Sequence, residues 1–87
     1  MHVLFAKRFR KTYTRLPKQL QKRCDERLLI FEKEPFHILL NNHLLYDPYA
    51  GCRSINIIGD YRAIFYHESP DVVRFIAVGT HHELFGT

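Results

Sequence analysis

No run in this 87-residue chain approaches the roughly 20 consecutive apolar residues that span a bilayer. Its start, Met1-His2-Val3-Leu4-Phe5-Ala6-Lys7, has no apolar stretch of signal-peptide length, so a cytoplasmic protein without membrane contact is expected. Cysteine is equally scarce. Cys24 falls in a helical pattern and Cys52 beside a glycine in a turn, without the CxxC spacing of a zinc site or a dense disulfide framework, so both are expected to be reduced and structural. With only four Gly and four Pro, and 46% hydrophobic residues, the chain is unlike a disordered or fibrous one. Its length allows one domain with one modest core, taken as residues 1–87.

Charge is abundant but unevenly placed. Residues 1 to 34 carry ten Lys/Arg against four acids, and residues 35 to 87 carry three against five, so the net +4 resolves into +6 followed by −2. A basic face attracts phosphate backbones, anionic membranes or an acidic protein, and it is also what an ordinary solvated helix presents. Charge alone leaves these open.

Phe5, Phe9, Tyr13 and Leu16 recur at spacings of four, four and three, which predicts an amphipathic helix after a short strand at Val3-Leu4-Phe5. Lys7, Arg8, Arg10, Lys11 and Arg15 fall between the stripe positions and form its outward face. Pro17 disfavours helix at Leu16 yet suits the first turn of a following helix, which Leu20, Cys24, Leu28 and Phe31 continue until Pro35. Lys18, Lys22 and Arg23 add cations to that second helix.

Residues 36 to 51 read as a loop feeding a sheet, rich in turn residues at Asp47-Pro48-Tyr49-Ala50-Gly51. Arg53 to Ile58 alternates polar and apolar, Gly59-Asp60 breaks the pattern, and Tyr61 to His67 resumes it. After the turn Glu68-Ser69-Pro70-Asp71, the β-branched stretch Val72 to Val78 predicts a central strand. Two helices burying their stripes on one face of this sheet give an α+β domain of order β-α-α-β-β-β, with the sheet mainly antiparallel and its other face left for function.

Two histidines follow the last strand, in Gly79-Thr80-His81-His82-Glu83-Leu84-Phe85-Gly86. Histidine can transfer protons near neutral pH, although spacing alone leaves His81 and His82 equally readable as ordinary hydrogen-bonded side chains. Sequence neighbours seldom build a tetrahedral metal site, so no metal or other cofactor is expected. Asp60 is readable as a turn residue with an Asx-type hydrogen bond or as a carboxylate in a site. Arg53 and Arg62, on neighbouring strands, suit either cross-strand pairing or joint neutralisation of a phosphate on the free sheet face.

The series His43-Leu44-Leu45, Gly51-Cys52-Arg53-Ser54-Ile55, Ile58-Gly59-Asp60-Tyr61-Arg62 and Gly79-Thr80-His81 through Gly86 resembles the RelE/YafQ family of ribosome-dependent messenger RNA interferases. The resemblance covers roughly residues 36 to 87 closely, and its terminal motif is the most specific part. It implies a toxin of a toxin-antitoxin pair that cleaves mRNA without a metal. It further implies His81 as the principal proton-transfer residue, His43 and Asp60 assisting at the same site, and Phe85 contacting a base.

Some members of the YafQ branch carry a further histidine where this sequence has Asn56, which can hydrogen-bond RNA but cannot shuttle a proton near pH 7. Arg62, with Arg53, would offset transition-state charge, and the cations of residues 7–23 would dock ribosomal RNA. A cognate antitoxin is the implied protein partner, with oligomers possible through it. Two other readings remain: a gyrase inhibitor of the ParE branch without nuclease chemistry, and a non-catalytic RNA-binding module.

Overall fold

The computed structural model describes residues 1–86. Strand β1 (His2–Phe5) leads into helix α1 (Lys7–Arg15) and helix α2 (Lys18–Lys33). Leu16 and Pro17 are extended between the helices, and the Pro17 carbonyl accepts from the N–H groups of Leu20 and Gln21, so the proline stands just outside α2 and opens its first turn. A 3-10 turn (Ile38–Leu40) then precedes β2 (His43–Leu44), β3 (Arg53–Asn56), β4 (Tyr61–Ser69) and β5 (Val72–Thr80). A single-turn helix α3 (His81–Phe85) follows.

The five strands form one sheet in the order β1-β5-β4-β3-β2. Only the β1–β5 pair is parallel; β2, β3, β4 and β5 are joined antiparallel by successive hairpins. The domain is therefore α+β with a mainly antiparallel sheet, as the sequence pattern predicts. Two short elements go beyond the expected order. β2 is only two residues long and α3 only five, too short for hydrophobic periodicity to reveal.

Both helices lie on one face. Phe9 from α1 and Cys24, Leu28 and Phe31 from α2 are buried against Ile55, Phe65, Val73 and Phe75 of the sheet. Phe75 is the hub of this layer, its ring centroid 5.0 to 6.0 Å from those of Phe65, Phe31, Phe9 and Phe5. Tyr13, Leu16 and Val3 pack at the rim. No helix of the described residues is long and apolar enough to cross a membrane.

The other face is not left open as expected. Ile64 and Ala77 are fully buried there by Leu84 of α3 and by Leu45, with Tyr49, Cys52 and Phe85 packed around them. The reason lies in the central strands, which are apolar on both faces and need cover on both. A bulge makes this possible: Phe65 pairs with Phe75 but Ile64 pairs with Ala77, so Ile76 is the extra residue on β5. Accessible on this face are the end where the β3–β4 turn meets α3, His43 at the β2 edge, and Tyr66 with Arg74 toward the opposite end.

Candidate active site

The turn between β3 and β4 is closed by hydrogen bonds from Tyr61 N–H to Ile58 carbonyl and from Ile57 N–H to Tyr61 carbonyl, both 2.9 Å. Gly59 takes the left-handed conformation (φ +55°) that the tight reversal requires. Asp60 is exposed at its apex. The Asx-type bond considered for it is not what holds it, because its backbone carbonyl accepts the His81 N–H at 3.0 Å while its carboxylate makes no hydrogen bond among the described residues.

α3 is anchored beside that turn by its first residues. Thr80 is the N-cap: its hydroxyl accepts from Glu83 N–H at 3.1 Å, and the Glu83 carboxylate accepts from Thr80 N–H at 2.8 Å, a reciprocal capping box. These contacts hold the Glu83 carboxyl below its usual range, first through the Thr80 N–H and then through the Thr80 hydroxyl. His81 and Phe85, four positions apart, share one side of the helix with ring centroids 4.7 Å apart. Thr80-x-x-Glu83 followed by Gly86 was the readable signal for this helix, which periodicity alone did not show.

Sheet register fixes the neighbours. Asn56 pairs with Arg62, which pairs with Gly79, and two residues along Ser54 pairs with both His43 and Ile64. Because paired residues and alternate residues along a strand share a face, His43, Ser54, Asn56 and Arg62 all lie on the face that α3 covers. Arg62 folds over its own turn, Nη1 donating to the carbonyls of Gly59 (2.8 Å) and Tyr61 (3.1 Å), while Nε and Nη2 make no hydrogen bond among the described residues. Asn56 Oδ1 and Ser54 Oγ are buried without a hydrogen-bond partner there, polar atoms turned toward the same ground.

His43 lies at the far edge of this face. Its Nδ1 is 2.8 Å from the Asn41 carbonyl, which can only accept, so Nδ1 carries the proton and Nε2 is the acceptor in the neutral ring. β2 is three strands from β5, about 14 Å at about 4.8 Å per strand, so His43 and His81 flank the face rather than touch. Asp60, His81 and Arg62 gather at one corner.

Arg53 is not with them. It stands three positions before Asn56 on β3, an odd separation that turns it to the helix-bearing face, opposite Phe65. There its Nε donates to Asn42 Oδ1 at 2.7 Å and its guanidinium lies 5.3 Å from the centre of the exposed Phe36 ring. The expectation that both arginines project together onto one face is corrected by strand alternation.

Tyr49 was not singled out in the sequence. The loop from Leu45 to Cys52, closed by a 2.9 Å bond from Leu45 N–H to Cys52 carbonyl, sets the Tyr49 ring edge-on to Phe85 with centroids 5.6 Å apart. Its hydroxyl accepts from Arg8 Nη2 of α1 at 3.3 Å. No spacing rule could have joined residues 8, 49 and 85.

Solved structures share this backbone fold. YafQ from Escherichia coli strain BL21(DE3) superposes with a TM-score of 0.81 at 19% identity, covering 97% of both chains. The chain has the RelE/YafQ toxin fold. A YoeB/ParE toxin from Agrobacterium tumefaciens gives 0.76 at 18% identity over 93% of this chain and 99% of that one. The archaeal RelE of a RelE-RelB complex from Pyrococcus horikoshii gives 0.73 at 25% identity over 91% and 92%. No protein-family model matches the sequence, and no curated protein does at a significant level.

On this RelE-like frame the cations of the helices sit outside the corner. Lys7, Arg8, Lys11 and Arg15 line one shallow hollow along α1 together with Thr12. Lys22 and Arg23 line another with Pro17, Gln19, Leu20 and Ile58, while Arg10 borders an apolar groove between the helices beside Phe9, Tyr13 and Leu28. Lys18 is exposed at the start of α2. Arg8 reaches toward the site through Tyr49, and Arg27 of α2 donates from Nε to the Ile57 carbonyl beside the β3–β4 turn at 2.8 Å.

Proposed function

We propose that this protein is the toxin of a type II toxin-antitoxin pair, a cytoplasmic endoribonuclease that cuts messenger RNA on the ribosome and so stops translation. The observation that carries the proposal is the backbone bond that ties His81 to Asp60 at the β3–β4 turn, with Arg62 two residues on, in a chain with the RelE/YafQ fold.

The chemistry needs no metal. A base takes the proton from a ribose 2′-OH, that oxygen attacks the adjacent phosphorus, and the bond to the departing 5′-oxygen breaks, leaving a 2′,3′-cyclic phosphate. His81 donates the proton that the 5′-oxygen acquires. The 2′-OH proton goes to the exposed Asp60 carboxylate or to His43 Nε2, the two acceptors flanking this face. Arg62 offers its unengaged N–H groups to the phosphoryl oxygens as charge builds there. Asn56 serves as a hydrogen-bonding contact, and Phe85 supplies a ring face for a base next to His81.

The cations of α1 and α2 hold the protein on ribosomal RNA without cutting it. The same basic surface suits an acidic or amphipathic antitoxin segment, in line with the RelB-bound state of the Pyrococcus RelE.

The test is mRNA cleavage in a purified translation system, with and without ribosomes. Cuts that need ribosomes and end in 2′,3′-cyclic phosphate are the expected result. Intact mRNA with folded protein would overturn it, and inhibition of DNA supercoiling by gyrase under those conditions would favour the ParE-type reading instead.

A further inference from the structure

α3 has only five residues, too few to hold a helix by its own backbone bonds. The direction of the His81 imidazole therefore depends in part on what grips the two ends of that turn. The capping box grips the first end. At the second end Phe85 is half-buried and meets the Tyr49 ring edge-on at 5.6 Å, and the opposite side of the contact chain is the His81 ring, 4.7 Å from Phe85.

Tyr49 is itself held. Its N–H donates to the Tyr46 carbonyl (2.8 Å), its carbonyl accepts from Cys52 N–H (2.9 Å), and its hydroxyl accepts from Arg8. A continuous line of contacts thus runs from α1 through the β2–β3 loop to the imidazole.

We propose that Tyr49 is a positioning residue of this site, keeping Phe85 against His81, and that Arg8 acts on the site by fixing the Tyr49 hydroxyl. The proposal rests on the nuclease reading for its rate effect and on the ring contacts alone for its structural effect. An acid misplaced by a fraction of an ångström loses rate without losing substrate affinity. Tyr49 is predicted to act in that way.

The experiment pairs two readouts on the wild type, Tyr49→Leu, Tyr49→Phe and Arg8→Gln. The first is cleavage of mRNA on ribosomes, resolved into the rate at saturating ribosome concentration and the half-saturating concentration. Tyr49→Leu should lower the saturated rate about tenfold with half-saturation changed less than about twofold, while Tyr49→Phe, which keeps the ring, and Arg8→Gln should each lose about threefold or less. The second readout is the His81 Cε1–H resonance. In the wild type the Phe85 ring should shift it from the position of a free histidine; Tyr49→Leu should collapse the shift and Tyr49→Phe should preserve it.

A Tyr49→Leu protein with an unchanged rate and an unchanged His81 resonance would overturn the proposal. So would a raised half-saturation with an unchanged rate, which would make Tyr49 a direct RNA contact. If the wild type itself does not cut RNA, the nuclease reading fails while the resonance still decides the positioning. Tyr49→Met, which fills the same space with a flexible chain, replaces Tyr49→Leu if the latter does not fold.

Discussion

The backbone N–H of His81 donates to the backbone carbonyl of Asp60 at 3.0 Å, tying the first residue of α3 to the apex of the β3–β4 turn. Because the tie is made by backbone atoms, both side chains stay exposed and can be removed without loosening it. His81→Ala and Asp60→Ala should each lower ribosome-dependent cleavage by roughly 10²- to 10⁴-fold, the usual worth of an acid or a base. Asp60→Ala should change the unfolding free energy by no more than about 0.5 kcal/mol, whereas His81→Ala, which removes the ring contact with Phe85, should cost about 1 kcal/mol. Parallel urea titrations and cleavage assays check both halves.

Gly79 is where α3 folds back onto β5. A Cβ at this position would lie 3.2 Å from the Glu83 carboxylate and 3.4 Å from Glu83 Cβ. Gly79→Ala should make Glu83 give way by a few tenths of an ångström, loosening the capping box and slightly displacing His81 together with Phe85. The expected outcome is a loss of about 1 kcal/mol of stability with a larger proportional loss of cleavage, and a circular dichroism spectrum that keeps its sheet signal.

The capping box should also show as a pH dependence. The folded Glu83 carboxyl is depressed by the Thr80 N–H and hydroxyl, so its contribution is complete above the unfolded value of about 4.3 and is lost as pH falls through the lower folded value. Glu83→Gln should therefore melt below the wild type at neutral pH, and the two melting temperatures should converge as pH falls below the depressed folded value. Thr80→Ala, which removes the cap, should cost about 1 kcal/mol at neutral pH.

Cys24 is fully buried beneath α2, and burial followed by the nearby Asp25 charge pushes its thiol up to about 12. Burial also raises Cys52, though it is only partly covered. Iodoacetamide at pH 8 should label Cys52 slowly and Cys24 only after unfolding. Mass spectra taken with and without urea read the order directly.

Lys7, Lys11 and Arg15 share one hollow on α1 and make no ion pair among the described residues. Replacing all three by Gln should weaken ribosome binding and flatten its dependence on salt by about two in log–log slope. The cleavage rate at saturating ribosome should stay near wild type, which separates docking from chemistry.

The helical half of the fold is legible because Phe9 and Tyr13, then Cys24, Leu28 and Phe31, repeat at intervals that only a helix puts on one side, with Pro17 between them. The sheet is legible for the same kind of reason in β3 and β4. His43–Leu44 is not, since two residues carry no period and their pairing with Arg53 and Ser54 is a tertiary event. α3 hid behind two histidines that invite a chemical reading before a structural one, although Thr80 and Glu83 spelled out its cap. Arg53 and Arg62 look alike on paper, and only the register of β3 against β4 separates their faces. Tyr49 stayed invisible because its importance depends on a loop closing over a distant helix.

β1 lies beside β5 with His2 opposite Val72, seventy residues apart in sequence. Every other strand pair comes from a local hairpin, so the chain can assemble most of its sheet early and must then close its largest loop to admit the first strand. High sequence separation of that kind slows folding, and the closing step also seats α1 against the sheet and brings Arg8 within reach of Tyr49. Commitment to the native topology and completion of the site's outermost contact are then one kinetic event.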